Sequence, residues 1–434
     1  MQPLCVLNVK QGMNPKTYRS IFCTTLVILL FLLKAPVASA YGVLTHQAVV
    51  DASWQTSLQP LLKKRFPKAT EQELRKAHAH AYGGSIMQDM GYYPFGSVFF
   101  TDLVHYVRSG DFVENLIKNS QTLDEYAFAL GALAHYNADI YGHQLGTNKA
   151  VALVYPKAKQ EHGAVVTYAE DPVSHVKTEF GFDVLQVARG NYATENYQDF
   201  IGFEVSKEVL EKAFLQTYGL ELGEVFVSLP LAIGSYRYTI RNIFPDLTKA
   251  AWQAKKSDIR KARPSITRRQ FMYRMSKASF HKNYGQEYEK PNLIAQFLAW
   301  VMRIAPKVGP LRPLAFKPPT PEAEKLFMES FNTTLLNYNA MLQKMLQHNE
   351  LQLRNMQLDT GKPTRAGDYK LTDKTYSELL VKLEKNEFKQ MPTDLQQNIL
   401  LFYRNTKAPN AAKQDNEEWQ QTIAALEKLK AINL

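Results

Sequence analysis

Leu123 to Gly146 reads LDEYAFALGALAHYNADIYGHQLG, and the fold turns on this stretch. Apolar residues recur at three- and four-residue steps, with alanines and a glycine leaving room for close packing, which predicts a helix over Leu123–Ile140. Thr122 just before it, with Glu125 three residues on, is a capping-box signature. His135, Asp139 and His143 follow at four-residue spacing on the same segment, so a helix puts them on one stripe. At 1.5 Å of rise per residue the outer two histidines stand roughly 12 Å apart along the axis, too far to share one ion. The stripe therefore implies more than one metal, with Asp139 placed to bridge. The plainer reading makes His135 and His143 hydrogen-bonded core histidines and Asp139 a surface acid.

A second segment repeats the four-residue step at His175 and Glu179. Eight of the ten histidines fall between His46 and His175, where an even spread would put about three. Nitrogen and oxygen donors in such a pattern suit a borderline divalent cation, with zinc the leading candidate. Asp102, three residues before His105, is a candidate acceptor for an imidazole N–H. His78 and His80, in an Ala-His-Ala-His run, read as a helix end or as support behind the ligands. His162 has no partner at metal spacing and reads as substrate-facing or exposed, and His281 and His348 read as structural or exposed. No glycine-rich phosphate loop and no serine nucleophile elbow occurs.

Outward from this stretch the pattern stays helical and shows no βαβ rhythm, so the fold class is all-α. Glu204–Tyr218 is a further amphipathic helix stopped by Gly219, whereas residues 78–101, rich in glycine and aromatics, read as a loop. Its Tyr92, Tyr93, Phe95, Phe99 and Phe100 are core residues or else a surface for acyl chains or bases. A proline-rich stretch, Ala305–Pro321, precedes a C-terminal part with helices over Glu322–Leu353, Thr372–Lys385 and Glu417–Leu434 and a turn at Thr360–Pro363. The basic cluster Lys255–Arg274 reads as a solvated helix face.

The chain has 434 residues, 45% of them hydrophobic and 21% charged, which excludes a disordered chain, a collagen-like repeat and a small disulfide scaffold. Lys16 and Arg19 precede an apolar run from Ile21 to Leu33, and Ala38-Ser39-Ala40 supplies the small residues of a cleavage site. This pattern predicts an export signal over residues 1–40; the other reading is a short anchor that stays attached. Removal would take both cysteines, Cys5 and Cys23, leaving no thiol for a disulfide or a nucleophile. It would also take four cations, lowering the formal charge from +11 to +7 and exposing Tyr41 as the N-terminus. A moderate positive excess favours anionic partners such as lipid headgroups or nucleic acid.

Tyr41-Gly42-Val43-Leu44-Thr45-His46, the separated Asp89 and His105, the run Ala134–Gly146 and the run Ser174–Val184 together resemble the zinc-dependent phospholipase C superfamily. That group includes the single-strand-specific nucleases and the catalytic domain of glycosylphosphatidylinositol-specific phospholipase D. The run around His135 is most similar to the phospholipase D branch, because His143 comes four residues after Asp139 and shortly before a glycine. Tyrosine stands where the family usually has tryptophan at the mature terminus, and Asp89 does not follow a proline.

The resemblance, over Tyr41–Val187, implies an all-helical catalytic domain holding three Zn2+ ions. One ion would take Asp89, His105, His135 and Asp139. A second would take His143, His175 and Glu179. The third would take His46, the other oxygen of Asp139, and the amine and carbonyl of Tyr41. Asp89 and Asp139 would be the catalytic carboxylates, Asp89 as ligand, base or both. The implied organisation is a signal peptide at 1–40, a phospholipase C/nuclease-like catalytic domain at 41–250 and an additional C-terminal helical region at 251–434 of unassigned role.

The implied activity is that of a secreted zinc-dependent phosphodiesterase acting on phospholipid at a membrane surface, with metal-activated hydroxide at a trinuclear site. Two other readings remain open on sequence: a single-strand nuclease, and a secreted binding module that zinc merely stabilises.

Overall fold

The computed structural model describes residues 42–189, 203–240, 257, 260, 316–347, 350–404 and 416–432. The predicted signal peptide, Tyr41, His281, His348, nearly all of the basic cluster Lys255–Arg274 and most of the proline-rich stretch fall outside these residues.

The described chain is all-α, apart from a two-residue antiparallel ladder between β1 (Met356–Gln357) and β2 (Lys362–Pro363). Twelve helices precede that hairpin up to residue 240: α1 (Val43–Ser53), α2 (Gln59–Arg65), α3 (Glu71–Met87), α4 (Val98–Tyr106), α5 (Ser109–Asn119), α6 (Leu123–Tyr141), α7 (Asn148–Val154), α8 (Pro156–His162), α9 (Pro172–Arg189), α10 (Lys207–Tyr218), α11 (Leu222–Val225) and α12 (Leu229–Tyr238). Then come α13 (Pro321–Leu346), the hairpin, α14 (Lys370–Lys385), α15 (Thr393–Phe402) and α16 (Asn416–Ala431).

Helix α6 is the axis of the molecule. Thr122 Oγ accepts from the Glu125 amide at 3.2 Å, while the Glu125 carboxylate accepts from the Thr122 amide at 3.0 Å. Every residue from Glu125 to Ile140 is buried, so the helix is covered on all sides. Its closest neighbour is α3. A Cβ placed on Gly84 would lie 1.8 Å from the Phe128 carbonyl oxygen, and one on Gly131 2.0 Å from that of Ala81. The two backbones touch there, and larger side chains would force the helices apart.

This contact corrects the expected loop at 78–101. Helix α3 continues to Met87, a 3-10 turn spans Gln88–Tyr92, and α4 begins at Val98, leaving only residues 93–97 without helical structure. Glycines 83 and 84 permit backbone contact rather than make a turn; the packing gained outweighs the ~1 kcal/mol that each costs in a helix. Tyr92, Tyr93 and Phe100 are buried, while Phe95 and Phe99 are partly so.

The C-terminal elements join the same hydrophobic core. Tyr338 on α13 donates to the Leu130 carbonyl on α6 at 2.9 Å, and Phe327 stacks on Phe182 at 4.5 Å. Helix α14 packs on α4 and α16. Among the described residues, no helix is long and apolar enough to cross a membrane.

Candidate metal centre

Five donors converge where α1, α4 and α6 meet the 3-10 turn after α3. His135 Nε2 and His105 Nε2 lie 3.1 and 3.2 Å from Asp139 Oδ2, while His46 Nε2 lies 3.5 Å from Asp139 Oδ1. Asp139 thus presents one oxygen to two imidazoles and the other to a third. Asp89 behaves similarly: Oδ1 is 3.5 Å from His105 Nε2 and Oδ2 is 3.9 Å from His46 Nε2. All five side chains are at most 2% exposed.

The imidazoles here are aimed by main-chain carbonyls. Nδ1 of His105 donates to the Thr101 carbonyl at 2.8 Å, and Nδ1 of His135 to the Ser85 carbonyl at 2.9 Å. With Nδ1 of each committed to a carbonyl, Nε2 is the atom that faces the carboxylates. The expected role of Asp102 is corrected by the first of these bonds, because Thr101 supplies the acceptor. Asp102 is buried instead near Lys374, and burial lifts its carboxyl to about 7.

A second group gathers His143, His175 and Glu179. The regular α-helix stops at Tyr141 and passes into a π-helical turn over Gly142–Thr147, so His143 leaves the strict stripe of α6 that its spacing suggested. His175 Nδ1 lies 2.7 Å and His143 Nε2 3.8 Å from Glu179 Oε1. His175 Nε2 donates to Asn148 Oδ1 at 2.9 Å, so this histidine offers the opposite nitrogen from His105 and His135.

Helix α9 carries its own stripe, His175, Glu179 and Asp183. The third member turns away from the donors and receives the amides of Leu44 and Thr45, both at 3.1 Å, and the Thr45 hydroxyl at 2.6 Å. Asp183 therefore caps the start of α1, the helix that carries His46.

Three sets of donors each gather their ligand atoms within 4.8 Å of one another, the first two sharing His135: His46–Asp89–His135, His105–His135–Asp139 and His143–His175–Glu179. Compared with the ligand sets implied by the sequence, Asp89 and His135 approach His46 as well as His105. His46 and His135 also stack face to face, 4.4 Å apart. Tyr41 lies outside the described residues. His78 and His80 stand apart from the cluster: His78 pairs with Asp51 at 2.9 Å and stacks on Trp54, and His80 meets Ser206 at 2.8 Å. His162 is partly exposed near Glu161.

Burial and close neighbours move the donors away from their ordinary titration ranges in both directions. Burial, followed by the Asp89 and Asp139 carboxylates, pushes the Glu179 carboxyl well above its ordinary range. Burial and then the neighbouring His135 bring His46 down to about 3, and burial with His143 depresses His175. Burial works against charge at His105 and His135 too, but Asp139 and Asp89 outweigh it and raise both. Asp139 is held well below the carboxylate range by His135 and His105 despite its burial. Among the described residues, both oxygens of Asp139, both of Glu179, both ring nitrogens of His143 and Nδ1 of His175 are buried without a well-formed hydrogen bond. Buried polar atoms of this kind are costly unless something binds them. Convergent nitrogen and oxygen donors fit divalent zinc.

A helical scaffold enclosing shared carboxylates and inward-facing imidazoles defines a metal-dependent hydrolase class. Residues 45–226 match the family model described as zinc dependent phospholipase C, a span that takes in all eight of the clustered donors. Over these residues the chain is similar to the zinc-dependent phospholipase C family, a likeness that implies a zinc-dependent phosphoric diester hydrolase. No curated protein and no solved structure matches it.

Asn148, Asp183 and Asp359 are functional candidates that the sequence reading missed. Asp183 was visible as a third four-residue step on α9. Asn148 and Asp359 have no ligand-type spacing, and only the folded chain brings them to the histidines.

Proposed function

We propose that the protein is exported, loses residues 1–40, and hydrolyses phospholipids by phospholipase C chemistry at a centre of three zinc ions. One observation carries this reading: three donor triads lie side by side, and two of them share His135. In this reading the triads, with Asp139 bridging and the amine of Tyr41 completing the His46 site, hold the ions. Residues 41–250 would form the catalytic domain, and residues 251–434 an added helical region.

Bound zinc supplies Lewis acidity, lowering the pKa of water toward neutrality and offsetting charge on the phosphodiester. The chain's own residues do the rest. Asp139, presenting an oxygen to each side, fixes the spacing between the His46 and His105 ends of the first group. Asp89 is the second shared carboxylate and the group placed to take a proton there. Tyr92 and Tyr168, with rings 5.8 Å apart, stand at the seam: Tyr92 lies 6.5 Å from His105 and Tyr168 6.0 Å from His175. Burial and nearby acids raise both phenols, which therefore stay protonated and act as neutral donors to a phosphoryl oxygen.

Parallel assays of the processed protein on phosphatidylcholine vesicles and on single-stranded DNA, each with and without chelator, test the reading. Chelator-sensitive release of phosphocholine and diacylglycerol is expected. Nucleotide release alone would move the substrate to nucleic acid, and silence on both would remove the catalytic assignment.

A further inference from the structure

The turn between β1 and β2 lies outside the family-matched residues, yet it reaches the second donor group. Asp359 in this turn is 3% exposed. Its Oδ2 accepts from the hydroxyls of Tyr106 at 2.7 Å and Tyr369 at 2.6 Å. These two bonds fix the carboxylate and turn Oδ1 toward His143, whose Nδ1 lies 3.4 Å away. The Asp359 main-chain carbonyl meanwhile accepts from Asn148 Nδ2 at 2.7 Å. The same amide's Oδ1 receives His175 Nε2 at 2.9 Å.

One residue therefore stands behind both imidazoles of the group. The turn is seated firmly. Gly361 has φ +64°, and a Cβ there would lie 2.7 Å from the Ile140 carbonyl oxygen, at the junction of α6 with the turn that carries His143. Only glycine lets the hairpin approach so closely.

We propose that Asp359 is a positioning residue for the second group: its carboxylate holds the Nδ1–H of His143, and its carbonyl, through Asn148, holds the Nε2–H of His175. The two imidazoles then present opposite nitrogens, Nε2 of His143 and Nδ1 of His175, on the side of Glu179. A carboxylate suits the task because it only accepts, and here Oδ2 takes two phenols while Oδ1 faces Nδ1 of His143. The C-terminal region on this account completes the centre without supplying a ligand. The inference rests on the reading of His143, His175 and Glu179 as a metal site.

The test compares Asp359→Asn, Asn148→Ala and Glu179→Gln with the unaltered protein. Zinc content is measured after dialysis against graded chelator, and imidazole tautomers by long-range 1H–15N spectra of the metal-free protein. Asp359→Asn should weaken one class of zinc by about 10–100-fold, the usual cost of losing such support, and leave the rest in place. It should also redistribute the His143 tautomer. Asn148→Ala should act on the His175 tautomer, and it decides the matter if Asp359→Asn does not fold. Loss of an ion in Glu179→Gln, with unaltered affinity and tautomers in both Asp359→Asn and Asn148→Ala, overturns the inference alone. Full zinc content in Glu179→Gln overturns the metal-site reading beneath it.

Discussion

The His46–Asp89–His105–His135–Asp139 group gathers around the last turns of α6 and the His143–His175–Glu179 group around the π-helical turn that follows, and they are held by different means. In the first, imidazoles are aimed by the carbonyls of Thr101 and Ser85, which belong to helices that the whole core positions. In the second, the His175 acceptor is a side chain, Asn148, and Asp359 Oδ1 stands 3.4 Å from His143 Nδ1, arriving from a hairpin more than two hundred residues further along the chain. A main-chain acceptor persists whatever residue occupies the position, whereas a side-chain acceptor is lost with one substitution. The first group is thus fixed by the fold and the second is adjustable through the residues around it. Asp183 ties them together, since its helix carries His175 and Glu179 while its carboxylate caps the helix of His46.

Breaking the shared carboxylate should separate the groups most sharply. Asp139→Asn removes charge from an oxygen pair that faces three imidazoles, and should cost activity by more than the about 10–100-fold expected for a supporting residue. Metal analysis should show ions lost from the first group while the ion assigned to His143, His175 and Glu179 stays. Full metal content in that variant would end the bridging role.

A smaller effect, confined to the first group, is expected from residues added before Tyr41. A blocked N-terminus offers no primary amine, so such a protein should hold one zinc fewer and turn over slowly. Equal zinc content in blocked and processed protein would show that the amine is not a ligand.

The smallest effect concerns the tie between the groups. Asp183→Ala removes the cap on α1 and should lower stability by about 1–2 kcal/mol, the usual cost of losing an N-cap side chain. The denaturation midpoint of the metal-free protein measures this directly; an unchanged midpoint would mean that α1 is held by packing alone.

Much of this architecture was legible in the sequence where one helix carries the signal. Apolar periodicity and the Thr122–Glu125 cap gave α6, and four-residue spacing placed His135 beside Asp139 and His175 beside Glu179. The same periodic reasoning found α10, ending at Tyr218, and most of α13, α14 and α16. It failed at 78–101 because glycine ordinarily marks a turn, and nothing local reveals that Gly83 and Gly84 lie against other backbone. It assigned Asp102 to His105 by nearness in sequence, whereas the carbonyl of Thr101 lies closer on the helix. It passed over Asp359 because a lone aspartate in a turn looks like turn chemistry.

By itself the sequence determined the helical class, the clustering of donors and the family resemblance, since hydrophobic period and residue spacing within one helix are properties of local chain geometry. Only the tertiary structure decided how Asp89 and His135 are shared between groups, which nitrogen of each imidazole faces inward, and that a distant hairpin stands behind His143 and His175. Those depend on the approach of segments far apart in the chain, and that approach is set by packing of the whole core, which no local pattern encodes.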